Sequence, residues 1–232
     1  MNAMILAAGR GTRLAELGQT IPKVLVEIGG EPLLARQIRY LKSNAINRIV
    51  INAHHLADQV EAFVATCSEA TDVEVVVEPE LLGTAGGVRS ALPHLGKAAF
   101  VVLYGDVIVN EPIGAVWQTH REVGGAATIT CYRTTDVKGK GTVTVAPDRS
   151  VTAFHEKTVG SACTTRYVNA GLYILTPSFL DDLPANVPLD FGRDVFPEAL
   201  VQSKIIAAHV LSNPVVDIGT PAALQLARAE LT

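Results

Sequence analysis

The sequence predicts an α/β fold of three layers, helix on sheet on helix, around a central sheet that is mostly parallel and becomes mixed in its second half. Three observations carry this expectation. Through the first half of the 232 residues, short apolar runs alternate with segments of helical period. Those runs are apolar throughout rather than at every second position, so the strands they form must be covered on both faces, as in parallel sheets. From Ala126 onward the texture changes to closely spaced strand-like segments with few helices between them, which calls for antiparallel or mixed pairing.

The elements follow in order. "AMILAA" is a strand that ends at Gly9, and "PLLARQIRYLKSN" places Leu33, Leu34, Ile38 and Leu41 on one helical face. "RIVIN" completes a βαβ unit. "LADQVEAFVATC" is a second helix, "DVEVVVEP" a strand stopped by Pro79, "TAGGVRSALPHL" a short helix, and "AAFVVLYGD" a strand that ends in a polar turn. "IGAVWQTHREV" is a helix with Val116 and Val123 turned inward. Four strands follow, "AATITCYR", "GTVTVAP", "SVTAFHEK" and "YVNAGLYIL". The tail reads as a helix, "FGRDVFPEALVQ", then a strand, "KIIAAHVL", a loop, "SNPVVDIGTP", and a closing helix, "PAALQLARAEL", opened by Pro221 at the first position a helix tolerates. In "FGRDVFPEAL", Phe191, Val195 and Phe196 are expected to pack on the core or on another subunit. No linker, repeat or low-complexity tract interrupts the chain, so one domain spanning 1–232 is expected.

Composition excludes several classes. A net charge of −4 with a pI near 5.9 leaves no basic footprint, so nucleic acid is not an expected partner. Cys67, Cys131 and Cys163 are an odd count without CxxC spacing, which argues against a disulfide framework and a zinc site. The first eight residues lack a basic leader region, and no run approaches the length of a membrane span, so a cytoplasmic protein without a membrane partner is expected.

The candidate chemistry starts in "LAAGRGTRL", residues 6–14. A glycine-rich turn at the carboxyl end of a strand can converge backbone N–H groups on anionic oxygens. It is neither a dinucleotide fingerprint, because Leu14 stands where the third glycine belongs, nor a P-loop, because no G-x-x-x-x-G-K-[ST] string occurs. What remains is G-x-G-T-R, with the Arg13 guanidinium offering a fork of donors to phosphate. Lys23, ten residues on in "IPKV", supplies a second cation. Asp106 and Asp217 each close a predicted strand with a carboxylate, a pair suited to Mg²⁺ shared with substrate phosphates. His54 and His55 follow a strand with no third ligand in view and are read as polar turn residues, not a metal site.

Taken together, "LAAGRGTRL" with "PK", the glutamate-led "GTAGG" of 78–87, "YGD" at 104–106, "GTV" at 141–143, "FHEK" at 154–157, "NAGLY" at 169–173 and "VDIGTP" at 216–221 resemble the sugar-1-phosphate nucleotidyltransferases along essentially the whole chain. Val24 departs from the second proline that many members carry after Pro-Lys. The resemblance implies a Rossmann-like αβα nucleotidyltransferase fold with a small β-rich sugar-binding part, residues 1–110 serving mainly the nucleotide and 111–232 mainly the sugar phosphate. It also implies a reaction: a sugar 1-phosphate attacks the α-phosphorus of a nucleoside triphosphate, releasing pyrophosphate. The chain ends soon after "DIGTP", so the C-terminal left-handed β-helix of some members is not expected.

By the same resemblance, Leu6, Ala7, Ala8, Gly9, Gly11 and Thr12 would cradle base and phosphates together with Glu78, Gly83 and Thr84. Arg13 would hold the leaving phosphates, Lys23 would offset charge near the α-phosphate, and Asp106 and Asp217 would carry Mg²⁺. Gly141, Glu156 and Asn169 would face the sugar and Lys157 its phosphate. Within the family, the short length with "LGTAGG" and "DFGRDVFP" looks most like the bacterial D-glycero-D-manno-heptose 1-phosphate guanylyltransferases of surface-polysaccharide synthesis. A UTP-dependent uridylyltransferase is the second reading, and a non-catalytic nucleotide-binding subunit is the reading from another class. A dinucleotide-dependent oxidoreductase lacks its third glycine. The oligomeric state is open, a homo-oligomer included. Glu78 carries the base preference: a carboxylate only accepts, and guanine offers it two adjacent donors where uracil offers one.

Overall fold

The computed structural model describes residues 1–14, 16–155 and 166–231. Its strands and helices run β1 (Asn2–Leu6), α1 (Glu16–Thr20), β2 (Glu27–Ile28), β3 (Glu31–Pro32), α2 (Leu33–Ser43), β4 (Arg48–Ala53), α3 (Ala57–Thr66), β5 (Val73–Val77), α4 (Gly83–Leu95), β6 (Phe100–Tyr104), β7 (Val107–Ile108) and α5 (Ile113–Val123). The second half adds β8 (Ala127–Thr134), β9 (Thr142–Val145), β10 (Val151–His155), β11 (Arg166–Leu175), a π-helical turn over Phe191–Val195, α6 (Phe196–Val201), β12 (Ile206–Val210), β13 (Val216–Asp217) and α7 (Pro221–Glu230).

One mixed sheet joins nine of these strands in the order β10-β9-β11-β6-β1-β4-β5, with β8 on β11 and β12 on β8. β1 lies parallel to both β4 and β6, and β5 extends the parallel part. β11 turns the sheet antiparallel: it meets β6, β8 and β9, with a register break between Asn169 and Tyr173 along β8. At that break Gly171 adopts a φ of +73° and lies against the Tyr104 ring, where a Cβ would come within 3.0 Å. Only glycine fits there.

Both faces of the sheet are covered. Ala3 and Ile5 of β1 face the layer of Ile38, Leu41, Val60 and Val116 from α2, α3 and α5, whereas Met4 faces Val88, Ala91, Phe191 and Phe196 from α4 and the segment after 190. This explains the uninterrupted apolar runs: alternate side chains enter two different cores. Phe191, Val195 and Phe196 are buried within this one chain, in an aromatic cluster with Tyr173. A third, smaller cluster joins Leu14, Ile28, Leu33, Ile218 and Leu224 beneath α7.

The structure differs from expectation in four places. Val123 is only half-buried, because the inward face of α5 runs through Ile113, Val116, Thr119 and His120. The helix over "FGRDVFPEALVQ" opens with a π turn, which Asp190 caps by accepting from the Gly192 and Arg193 amides. β2 and β3 form a hairpin across Gly29 and Gly30, both at positive φ, with strands too short to show a period. Within the expected loop "SNPVVDIGTP", Val216 and Asp217 form β13 and pair antiparallel with β7. Among the described residues, no helix is long and apolar enough to cross a membrane.

Candidate active site

The carboxyl ends of β1, β4 and β6 open into a cleft of about 450 Å³, the place where α/β sheets bind ligands. Its floor is the loop after β1. Gly11 takes a φ of +62° and its carbonyl accepts from Leu14, which turns the chain into a short 3-10 segment that presents Thr12 and Arg13. Gly18 packs on that turn so closely that any Cβ there would strike the Gly11 carbonyl. Gly9 is different: a Cβ on it would meet no protein atom within 4 Å, so the space it leaves belongs to whatever the cleft holds.

A polar relay fixes the loop from behind. Asn52, at the end of β4, accepts the Ala7 amide at 2.9 Å through Oδ1 and donates through Nδ2 to Glu78 Oε1 at 2.6 Å. The second Glu78 oxygen accepts the Leu82 amide at 3.1 Å. Glu78 is 4% exposed and is not among the residues lining the cleft. This corrects the expectation that Glu78 faces a nucleobase: both carboxylate oxygens are engaged in joining the ends of β4 and β5 to the start of α4. Asn52 is the member of the relay that reaches the cleft wall.

The glycines of "GTAGG" serve the same region. A Cβ on Gly83 or Gly86 would lie 2.5 Å from the carbonyl of Leu189 or Val187, and the amides of Ala85 and Gly86 both donate to Leu189 O. Thr84 donates to Asp190 Oδ2 at 2.8 Å and accepts from the Phe191 amide. The motif therefore docks α4 onto the segment before the π turn, while Gly83 and Thr84 still line the cleft.

The charged centre lies at the end of β6. Lys23 donates to Asp106 Oδ2 at 2.5 Å. The turn that carries Asp106 is clamped by Gln37, a buried side chain of α2 whose Nε2 donates to the carbonyls of Tyr104 (2.9 Å) and Val107 (2.8 Å) on either side of it. The β7–β13 ladder sets Asp217 opposite Val107, and the Ile218 amide donates to Asp106 O. Asp217 Oδ1 accepts from the Gly219 amide at 2.5 Å. A Cβ on Gly219 would fall 2.7 Å from Asp217 Oδ1, 3.2 Å from Arg13 Nη2 and 3.3 Å from Lys23 Nζ, so three charged groups close round one small space and Asp106 joins them through Lys23.

Asp217 is open to solvent on the cleft side yet walled by protein. That desolvation first, and the Asp106 charge second, raise its carboxyl above the usual range against the pull of the Gly219 amide, Lys23 and Arg13. Asp106 and Asp217 are near enough for one charge to act on the other, and such an oxygen pair would suit a hard divalent cation.

On the wall formed by β8, β9 and β11, Asn169 donates from its amide group to the Tyr173 hydroxyl at 2.6 Å and accepts from the Gly171 amide, while its own backbone amide donates to Gly141 O. Leu6, Ala7, Ala8, Gly9, Gly11, Thr12, Arg13, Lys23, Gly83, Thr84, Asp106, Gly141, Asn169 and Asp217 all line the one cleft. Glu156, Lys157 and Cys163 lie outside the described residues. His54 and His55 each bond a backbone carbonyl, of Glu78 and Gly18 respectively. Lining residues that sequence reasoning missed include Asn52, Tyr104, Tyr132, Lys140 and Asp190. Burial first, then the neighbouring Tyr173 and Asp190, hold the Tyr104 phenol well above its ordinary range, so it stays protonated.

A family profile described as nucleotidyl transferase matches residues 2–232. The chain is 29% identical to a UTP–glucose-1-phosphate uridylyltransferase of Synechocystis and 32% identical to a mannose-1-phosphate guanyltransferase of Aspergillus fumigatus. These alignments cover 94% and 95% of this chain but 60% and 61% of those proteins. The chain thus spans about 60% of the length of the curated relatives it matches. The crystal structure of HddC from Yersinia pseudotuberculosis in complex with GMP-PN superposes with a TM-score of 0.86 at 27% identity, covering 100% of this chain and 99% of that one.

Proposed function

The chain belongs to the nucleotidyl transferase family, and on that premise we propose that it transfers a nucleotidyl group from a nucleoside triphosphate to a sugar 1-phosphate, releasing pyrophosphate. The observation that carries the reading is the convergence of Arg13, Lys23 and Asp217 round Gly219 at one end of the glycine loop, with Asp106 joined to them through Lys23. In-line displacement at phosphorus needs positioning and charge neutralisation more than a covalent nucleophile. The loop amides from Ala8 to Thr12 bind the triphosphate. Arg13 receives the charge that grows on the leaving pyrophosphate, and Lys23, steadied by Asp106, stands at the α-phosphate. Asp106 and Asp217 would hold Mg²⁺, which when bound neutralises phosphate charge and aligns the two reactants. Gly141 and Asn169, with Glu156 and Lys157, orient the sugar phosphate.

Guanine is the preferred base and a manno-configured sugar 1-phosphate, heptose in particular, the preferred acceptor. Support for guanine comes from the likeness to the guanyltransferase of A. fumigatus and to HddC, crystallised with GMP-PN. The Synechocystis relative favours a second reading, a uridylyltransferase. The test is pyrophosphate release from four triphosphates paired with heptose, mannose and glucose 1-phosphates, alongside Asp217→Asn. GTP with a manno sugar should lead, and the Asn variant should lose turnover by orders of magnitude, with Mg²⁺ binding weakened in calorimetry. A lead for UTP moves the uridylyl reading to first place. Release with no pair, or an unimpaired Asn variant, overturns the mechanism.

A further inference from the structure

Among the described residues, four cations line the cleft: Arg10, Arg13, Lys23 and Lys140. Three come from the segment around the glycine loop. Lys140 alone stands on the wall of β8, β9 and β11, immediately before Gly141. A reaction between two anionic phosphates needs positive charge on both sides of the bond that forms, and Lys23 is already paired with Asp106.

Lys140 is held in a way that leaves it able to change partners. Its Nζ donates to Asp136 Oδ2 at 3.1 Å, but the Asp136 side chain is 71% exposed and lies off the cleft. An ion pair so open to water contributes little. The same ammonium lies 6.0 Å from the centroid of the Tyr132 ring, a buried residue that lines the cleft. The ring gives the long lysine stem a fixed surface without neutralising its charge. Burial raises the Tyr132 phenol first, Lys140 lowers it and Asp217 raises it, so this side chain senses both the ammonium and a carboxylate of the reaction centre. Lys140 and Tyr132 line the same cleft as Arg13, Lys23, Asp106 and Asp217.

We infer that Lys140 is a phosphate-binding residue of the acceptor side, taking the 1-phosphate of the sugar on its ammonium while Tyr132 aims it. The inference rests on the nucleotidyl-transfer reading above and adds a cation to Lys157, which the resemblance names for that group. Asp136 is then a resting partner, released when the substrate phosphate arrives.

The test uses steady-state kinetics with the best triphosphate and sugar pair from the panel, calorimetry with mannose 1-phosphate, and thermal melts to confirm folding. Lys140→Met should raise the acceptor KM by about tenfold to a hundredfold, the worth of a charge-assisted hydrogen bond, with the triphosphate KM within about twofold. Lys140→Arg should recover most of the loss, and Lys138→Met, an exposed neighbour off the cleft, should behave as wild type. An acceptor KM unchanged in Lys140→Met, or a rise confined to the triphosphate, overturns the assignment while leaving nucleotidyl transfer intact. If wild type releases pyrophosphate with no pair, the transfer reading fails and calorimetry decides alone. Mannose 1-phosphate binding that Lys140→Met abolishes keeps the site, and equal binding, or none to wild type, removes it.

Discussion

Replacing Glu78 by Gln probes how the rim of the cleft is held. Both carboxylate oxygens face donors: Oε1 takes Asn52 Nδ2 at 2.6 Å and Oε2 takes the Leu82 amide at 3.1 Å. A glutamine amide brings one acceptor and one donor, so at one of the two contacts an NH₂ must meet an N–H. Asn52 cannot turn over to help, because its Oδ1 already accepts from Ala7. One hydrogen bond is lost and a buried donor is left unpaired, worth about 1 to 3 kcal/mol, and relief of the buried charge offsets part of this. A net loss of about 2 kcal/mol corresponds to a Tm lower by about 4 to 8 °C in a chain of this size. Urea unfolding and thermal melts measure it. The ratio of kcat/KM for GTP and UTP should stay within about twofold, since Glu78 lies off the cleft. A Gln variant as stable as wild type, or one that shifts the base preference several-fold, refutes the relay.

Two further outcomes follow from burial. Gly83→Ala forces a Cβ to within 2.5 Å of Leu189 O at a φ of +73°, and should cost about 2 to 4 kcal/mol in urea unfolding. Gly114→Ala, in α5 with no atom near its Cβ, should be neutral or slightly stabilising, and equal effects at the two sites would contradict the docking of α4 on Leu189. His120 is buried against Thr128 Oγ1 at 2.8 Å, and burial lowers its pKa below the ordinary 6.5. The folded chain thus favours the neutral ring, its contribution is complete above the unfolded pKa, and stability falls as pH drops through 6.5 toward the folded value. His120→Gln should flatten that decline between pH 7 and 5 in unfolding midpoints, and an unchanged slope would show that His120 does not drive it.

The sheet was legible because its physics is local. Ala3 to Leu6, Ile49 to Ile51 and Phe100 to Leu103 are apolar at every position since each strand is buried on two sides. Glycines with a fixed spacing, and carboxylates that close strands, were legible for the same reason: Asp106 and Asp217 stand where apolar runs stop. Glu78 was misread because a glutamate at a strand end announces neither its burial nor its partners, and Asn52 lies 26 residues away in sequence. Lys140 and Gln37 gave no signal at all. A lysine in "GKG" looks like a solvated turn, and Gln37 looks like the polar flank of α2 until the tertiary fold brings Tyr104 and Val107 to it. The π turn stayed hidden because the Asp190 cap depends on Thr84, in a distant helix.

The antiparallel pairing of β11 with β6 fixes the spacing of the two walls of the cleft. Through it, the strand that carries Asn169 and the strand that leads to Asp106 are neighbours in a single sheet, about 4.8 Å apart. The separation of the sites proposed for the two reactants is therefore written into the folded chain. Each substrate still loses its translational and rotational freedom on binding, but two sites spaced by one sheet would not have to be brought together first. The spacing on which effective molarity would depend is thus a property of the fold rather than of a closing motion.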